Sequence, residues 1–510
     1  MKLPDLKSNL KNLKDKHLWW LLAIFLLVVA VRLYIAFQTP LFNYDAYFNL
    51  RQVEHIKETG FPLYNDPLSY GGKTQLFAPL NHYILAAFSL IMPVEIVGKI
   101  IPNIIAAMII FIVYYLSLKI TKNNKVSLTT SFMSGFIPIY FVDINHVSVN
   151  YLAILLTLSI VYCVLKLNER KYVDYALILM FLLVLTTPMA FVLVIGLLLY
   201  LVLLKLENFA VEMKELEIIL FFTFLVFWVN LLIYKNAFLT HGLLVIWQNI
   251  PVSILSNFFS NIGFIQAIAT ISIIPIILGV YAFYAAFHKE RSKEVMIIVA
   301  LGLSSFILLW FKLLDVINGL IFLSVTLTIL TAYTLKRIND FIEKSKIHKY
   351  QKILHVTIIM LFIITIIPSI LSIVYSSNIG PLNTPSSGDV EVLKWASINL
   401  PQNAVIMSGL NEGNIVAYYA MRKNVMDTNF LLTPRIDQRL RDVDDVYTTS
   451  FETKAIGILN QYNAKYLFVT EANLKQHSVT SVAYVKDTTC FVPEYYSQGT
   501  YIYRTNCKIE

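Results

Sequence analysis

The stretch FNYDAYFNLRQVEHIKETGFPLYNDPLSY, residues 42–70, follows directly on an apolar run of membrane-span length at 18–38. A segment so rich in Asp, Tyr, Asn and Arg cannot continue through hydrocarbon, where each ionised side chain costs about 3 kcal/mol or more. It marks a loop at the membrane surface. What that loop does depends on the side it faces.

The rest of the chain supplies the side. Of its 510 residues, 57% are hydrophobic and 14% charged, with a mean hydropathy of +0.65; soluble chains are nearer ~25% charged. The net charge of +9 would point to nucleic acid in a soluble protein, but here the basic residues fall between apolar runs. That distribution belongs to cytoplasmic loops, and without a concentrated basic face nucleic acid is excluded as a partner. Three cysteines without a CxxC exclude a thiolate zinc or iron–sulfur site. Cys490 and Cys507 share the tail, where an oxidising exterior would let them pair.

Runs long enough to span occur at about 18–38, 98–118, 126–142, 148–165, 172–186, 189–204, 218–234, 263–287, 295–311, 316–335 and 353–375. A shorter apolar helix at 80–93 is expected at the outer interface. With a cytoplasmic N-terminus (1–17, an uncleaved anchor) and alternating spans, the inner segments carry 22 Lys and Arg and the outer loops 5. The fold class expected is a polytopic α-helical membrane protein of about 11–13 spans (residues 18–375) with an external loop at 39–79. From 376 the composition changes. YSSNIGPLNTPSSGD reads as a linker, and 376–510 as an external soluble α/β domain with a helix at DVEVLKWASINL and strands at NAVIMS, KYLFVT and GTYIYRT. The protein is expected in the plasma membrane.

The loop 39–79 is thereby external, and Asp45 stands a few residues beyond the first span. A carboxylate there can act on a lipid headgroup without burial in hydrocarbon. Tyr47 and Phe48 would lie at headgroup depth. Arg51 has the geometry for a phosphate. Together they fit a lipid-phosphate substrate with Asp45 as general base or metal ligand. A plainer reading has Asp45 capping the helix AYFNLRQVEHIKE and Arg51 pairing with Glu54 or Glu58.

The run YDAYFNLRQVEHI, then FPLYNDPLSYGGK and APLNHYILA, resembles the first external loop of the oligosaccharyltransferase catalytic subunit family, which are GT-C membrane glycosyltransferases. The likeness falls on Asp45, Tyr47, Phe48, Asn49, Arg51, Glu54, His55, Asp66, Pro67, Gly71 and Pro79. It implies a GT-C fold, a sugar or oligosaccharide donor on a polyprenyl (dolichyl) phosphate or diphosphate, and a protein or glycolipid acceptor. Asp45 would then be the first acidic residue of the active site, binding a divalent metal (Mg or Mn) and organising the acceptor. Tyr47, Asn49 and His55 would contact acceptor or sugar, and Arg51 the donor phosphate. NAVIMSGLNEGNIVAYYAMRKNVMDTNF resembles the stretch around the family's acceptor-binding motif.

Several positions depart from the family. GLNEG, 409–413, replaces the sequon-reading motif of two Trp, Asp, Tyr and Gly, with Asn411 where Asp would stand. In the second external loop, VDINHVSVNYL, Asp143 and His146 are spaced to ligate a metal if the loop turns helically. The long loop 235–262 has no carboxylate and offers Trp247 for a sugar. At the outer turn WFKLLDVINGL, Lys312 either holds the donor phosphate as a point charge or snorkels. A site reduced to one external carboxylate favours a hydroxyl acceptor. Protein O-mannosyltransferases and lipid A aminoarabinose transferases resemble this economy. Four readings compete: such a glycosyltransferase, a metal-dependent oligosaccharyltransferase acting on Asn, a non-catalytic paralogue that binds lipid-linked glycan, and a transporter or flippase, against which the span interiors hold little charge beyond Arg32.

Overall fold

The computed structural model of the chain describes residues 16–245, 263–288, 292–344, 351–375 and 384–509. Helix α1 (Lys16–Ala36) is apolar on all sides, and Trp19 and Trp20 are 60% and 65% exposed. Water would not tolerate that surface; lipid does. After it come α2 (Ala46–Thr59), a short antiparallel hairpin of β1 (Asn65–Asp66) and β2 (Lys73–Thr74), and α3 (Leu80–Ser89). Then α4 (Val94–Ala107) and α5 (Ile109–Thr121) form one long apolar rod, followed by α6 (Asn124–Gly135), α7 (Asn150–Val164), α8 (Arg170–Val184), α9 (Ala190–Leu206) and α10 (Met213–His241). The bundle closes with α11 (Phe264–Ile271), α12 (Ile273–His288), α13 (Lys293–Trp310), α14 (Val316–Glu343) and α15 (Gln351–Tyr375).

Among the described residues five of these rods are long and apolar enough to cross a membrane, with α11 and α12 a sixth if their bent pair is one span. Two expected spans are not straight. The run 126–142 leaves the α-helix at Gly135 and continues as a 3-10 turn, Pro138–Phe141, because proline has no N–H for a fourth-residue carbonyl. The run 263–287 breaks at Ser272, whose φ is +82°, and turns by 85°. Helix α3 has ten residues, too few to span, and buries Asn81 and His82. Small residues set the helix spacing. A Cβ at Gly279 would stand 2.8 Å from the Leu327 carbonyl oxygen, so α12 lies against α14 only because that position is glycine.

The C-terminal domain begins at α16 (Ser387–Asn399), opened by a capping box in which Ser386 and Asp389 exchange side-chain-to-backbone bonds. The last residues of the expected linker are therefore already helix. Beyond it lie β3 (Val405–Met407), β4 (Lys423–Asn424), α17 (Ile436–Thr448), α18 (Glu452–Gln461), β5 (Tyr466–Val469), α19 (Glu471–Gln476), β6 (Phe491–Ser497) and β7 (Thr500–Thr505). The sheet runs β4-β3-β5-β7-β6, parallel across β4, β3 and β5 and antiparallel across β5, β7 and β6. A disulfide joins Cys490 to Cys507, 17 positions apart. Closing a loop of that size contributes about 3 kcal/mol.

The first loop and the C-terminal domain share one core. Tyr47, Leu50, Val53 and Ile56 repeat at helical spacing along α2 and pack with Val392, Leu393, Ile406, Phe468 and Ile502. Gly60 ends α2 in the left-handed region at φ +81°, its N–H bonded to the Ile56 carbonyl at 2.8 Å. The backbone joins too, with Tyr70 N donating to Asn424 O at 2.8 Å and Asn424 N to Leu68 O at 2.9 Å.

Candidate active site

Asp45 occupies the cap position of α2, yet its side chain makes no capping bond. Its Oδ1 instead accepts a hydrogen bond from Thr428 Oγ1 of the C-terminal domain at 2.8 Å, and the residue is exposed. The helix-cap reading of this carboxylate is therefore set aside. The chain on either side is tied down. Lys99 on α4 gathers the carbonyls of Ala36 and Thr39, both at 2.7 Å, at the end of α1. Asn43 N donates to Asn145 O at 3.1 Å, and Asn43 Nδ2 meets His146 Nε2, so the first and second loops run side by side next to Asp45.

The structure redistributes the other candidates. Arg51 makes a bidentate pair with Asp66, at 2.9 and 2.7 Å, and Asp66 also holds Gln75. The fork expected to read a phosphate, or to pair with Glu54 or Glu58, braces the β1–β2 hairpin. Glu54 takes Tyr418 Oη at 2.9 Å instead. Tyr47 faces protein rather than lipid headgroups: it is fully buried beneath Tyr418 and Tyr419, with both ring centroids 5.4 Å away, and cannot touch a sugar. Asn49 Oδ1 accepts from His82 Nε2 at 2.8 Å, and His55 is half-buried on the same helix. Asn411 reaches Gln476 at 3.3 Å. Trp247 lies outside the described residues. Lys312 is exposed, just past the end of α13.

The metal set does not assemble. Asp143 is buried and accepts Asn150 Nδ2 at 2.8 Å, and His146 Nε2 faces Asn43. Ligation would require both to exchange partners. Among the described residues the one group of three that gathers ligand atoms is Glu452, Asp487 and Cys490, and the Cys490 sulfur is already in the disulfide. Asp45, Asp143 and His146 as held do not fit a divalent ion. Asp143 has another neighbour, Asp315 at the start of α14. Burial, with the Asp143 charge adding to it against the N–H groups of the cap, pushes the Asp315 carboxyl up to about 6.

Two features escaped the sequence. Lys73 on β2 forms a buried ion pair with Asp427, beside Thr428. Glu412, where the acceptor motif would have Tyr, is a buried carboxyl held by Thr470 and by Asn473 Nδ2 and Gly409 N, each at 2.9 Å. Its burial, partly offset by the Thr470 and Asn473 bonds, pushes it up from 4.5 to about 7. A carboxyl raised on folding favours the folded state while it is protonated in both states. That advantage fades as the unfolded chain ionises alone. Stability is therefore expected to fall by up to about 3 kcal/mol from pH 4.5 to 7 and then level off. Thermal unfolding across that range checks this, with Glu412→Gln expected to remove most of the slope.

No protein-family model matches the chain, and no curated protein matches it by sequence. Solved structures match it in shape. The oligosaccharyltransferase of Archaeoglobus fulgidus in the apo form has a TM-score of 0.68 at 14% identity, over 89% of this chain and 70% of that one. The same enzyme, AglB, with an inhibitory peptide and a dolichol-phosphate gives 0.67 at 14% identity, over 96% and 74%. The fold is that of the GT-C glycosyltransferases. ArnT from Cupriavidus metallidurans, bound to undecaprenyl phosphate, matches with a TM-score of 0.56 at 11% identity, over 94% of this chain and 97% of that one. A GT-C likeness first read from residues 42–79 thus holds across the architecture, from the helical bundle to the C-terminal sheet. At these identities the shared property is shape, and chemistry has to be argued from residues.

Proposed function

We propose that the chain is a membrane glycosyltransferase moving a sugar or glycan from a polyprenyl (dolichyl) phosphate-linked donor to an acceptor hydroxyl. The observation that carries this reading is Asp45: an exposed carboxylate past the end of α1, relieved of capping and set against the C-terminal domain. Asp45 Oδ2 takes the acceptor's hydroxyl proton as the acceptor oxygen attacks the anomeric carbon. The bond from that carbon to the phosphate oxygen breaks, and polyprenyl phosphate leaves with the electron pair. Lys312, exposed at the end of α13, is the cation we assign to that phosphate. The reaction takes place on the external face, which agrees with the lysine and arginine bias and with a disulfide in the C-terminal domain. A hydroxyl acceptor is preferred over an Asn amide because GLNEG supplies a buried glutamate in place of the sequon-reading residues.

The test is transfer of radiolabelled sugar from dolichyl-phosphate and undecaprenyl-phosphate donors to Ser/Thr peptides, an Asn-x-Thr peptide and glycolipid, with and without EDTA. Transfer to a hydroxyl that survives EDTA supports the reading. Transfer to Asn abolished by EDTA would replace it with metal-dependent oligosaccharyl transfer. Donor binding without any transfer would make the chain a glycan-lipid binding protein.

A further inference from the structure

Asp45 is exposed but not loose, and the group that holds it is built. Thr428 Oγ1 donates to Asp45 Oδ1 at 2.8 Å, and Asn414 Nδ2, nearly fully buried, donates to the same hydroxyl oxygen at 2.8 Å. A hydroxyl that receives an amide proton on its lone pair and gives its own to a carboxylate has one orientation. Its neighbours cannot drift. Asp427 is locked to Lys73, both with side chains 2% exposed or less, and accepts Asn429 N at 2.9 Å. Asn414 is delivered by Gly413, where a Cβ would collide with the Met426 carbonyl oxygen and stand 2.6 Å from Asp427 Cβ. No other residue permits that approach. This is a physical reason for the one glycine of GLNEG that matches the family pattern.

We infer that Thr428 is a positioning residue: oriented by Asn414, it fixes one oxygen of the Asp45 carboxylate so that the other meets the acceptor. The inference rests on the reading of Asp45 as base. The C-terminal domain is then part of the reacting centre rather than a cover over it.

The test uses the full chain in detergent and two readouts. Carbodiimide coupling of an amine to residue 45, followed by peptide mass spectrometry with exposed Glu58 as internal standard, reports whether the carboxylate is held. Steady-state transfer reports its consequence. Thr428→Val, isosteric but without the hydroxyl, is expected to raise coupling at Asp45 about threefold or more and to lower kcat about ten- to hundredfold with KM little changed. Thr428→Ser is expected to restore both. Unchanged coupling in Thr428→Val overturns the inference, as does raised coupling with unchanged kcat, or failure of serine to rescue. Raised coupling in a chain whose wild type transfers no sugar keeps the hydrogen-bond relay and removes the glycosyltransferase reading instead.

Discussion

Asp45→Asn is expected to lower sugar transfer by roughly 10²–10⁴-fold, the span associated with losing a general base, while leaving the fold intact. Asparagine keeps the size of the side chain and an oxygen for Thr428, but cannot take a proton. The usual concern with such a variant is that a cap has been lost. Here that concern is small, because Asp45 makes no capping bond and asparagine is as good a cap residue as aspartate. The unfolding midpoint should therefore move by no more than about 0.5 kcal/mol equivalent. Parallel transfer and thermal-unfolding assays decide it. Transfer at the wild-type rate would remove Asp45 from the chemistry. Lost transfer accompanied by a large loss of stability would leave its role structural.

Lys73→Met carries the largest expected effect on stability. Lys73 and Asp427 have side chains 1% and 2% exposed, and the pair bridges the first loop and the C-terminal domain. Removing the ammonium leaves a carboxylate buried without its partner, for which about 3–5 kcal/mol is the usual cost. Asp427 would retain Asn429 N, which satisfies one lone pair and none of the charge. A double variant, Lys73→Met with Asp427→Leu, removes both charges and is expected to recover most of the loss. Proteolytic resistance and thermal unfolding in detergent measure both. A single variant as stable as wild type would show that the domains are held by their apolar core alone. Transfer should fall in the single variant, since Asp427 sets the backbone of Thr428.

How far the sequence reaches differs between the bundle and the site. Helices follow from local chemistry: the apolar runs at 126–142 and 295–311 are each readable in one window, and the structure has helices there, which it shows to be capped by Asn123 and Ser292. The kink at Ser272 and the turn at Pro138 were visible as residues but not as geometry, because they depend on what packs alongside. Asp45 was legible because a charge just beyond the end of a span stands out against the apolar run before it. Its partner was not: Thr428 lies 383 positions away, in a segment whose residues are ordinary for a loop. Arg51 failed in an instructive way. Its fork suits phosphate and carboxylate equally, and Asp66, 15 positions on, is a carboxylate already in place. Tyr47 was misplaced because interfacial aromatics and core aromatics look alike until the domain that covers them is known.

The core shared by α2 and the C-terminal sheet also constrains how the molecule is made. Tyr44 of the first loop reaches Asp389, 345 positions later. At ordinary elongation rates, roughly 20–70 s of translation separate the two. Throughout that interval the apolar stripe of α2 has no sheet to cover it, and Asp45 has no threonine to hold it. The Asp45–Thr428 contact is thus completed late in synthesis, so a nascent chain stalled within the bundle would hold its first loop without the segment that closes over it.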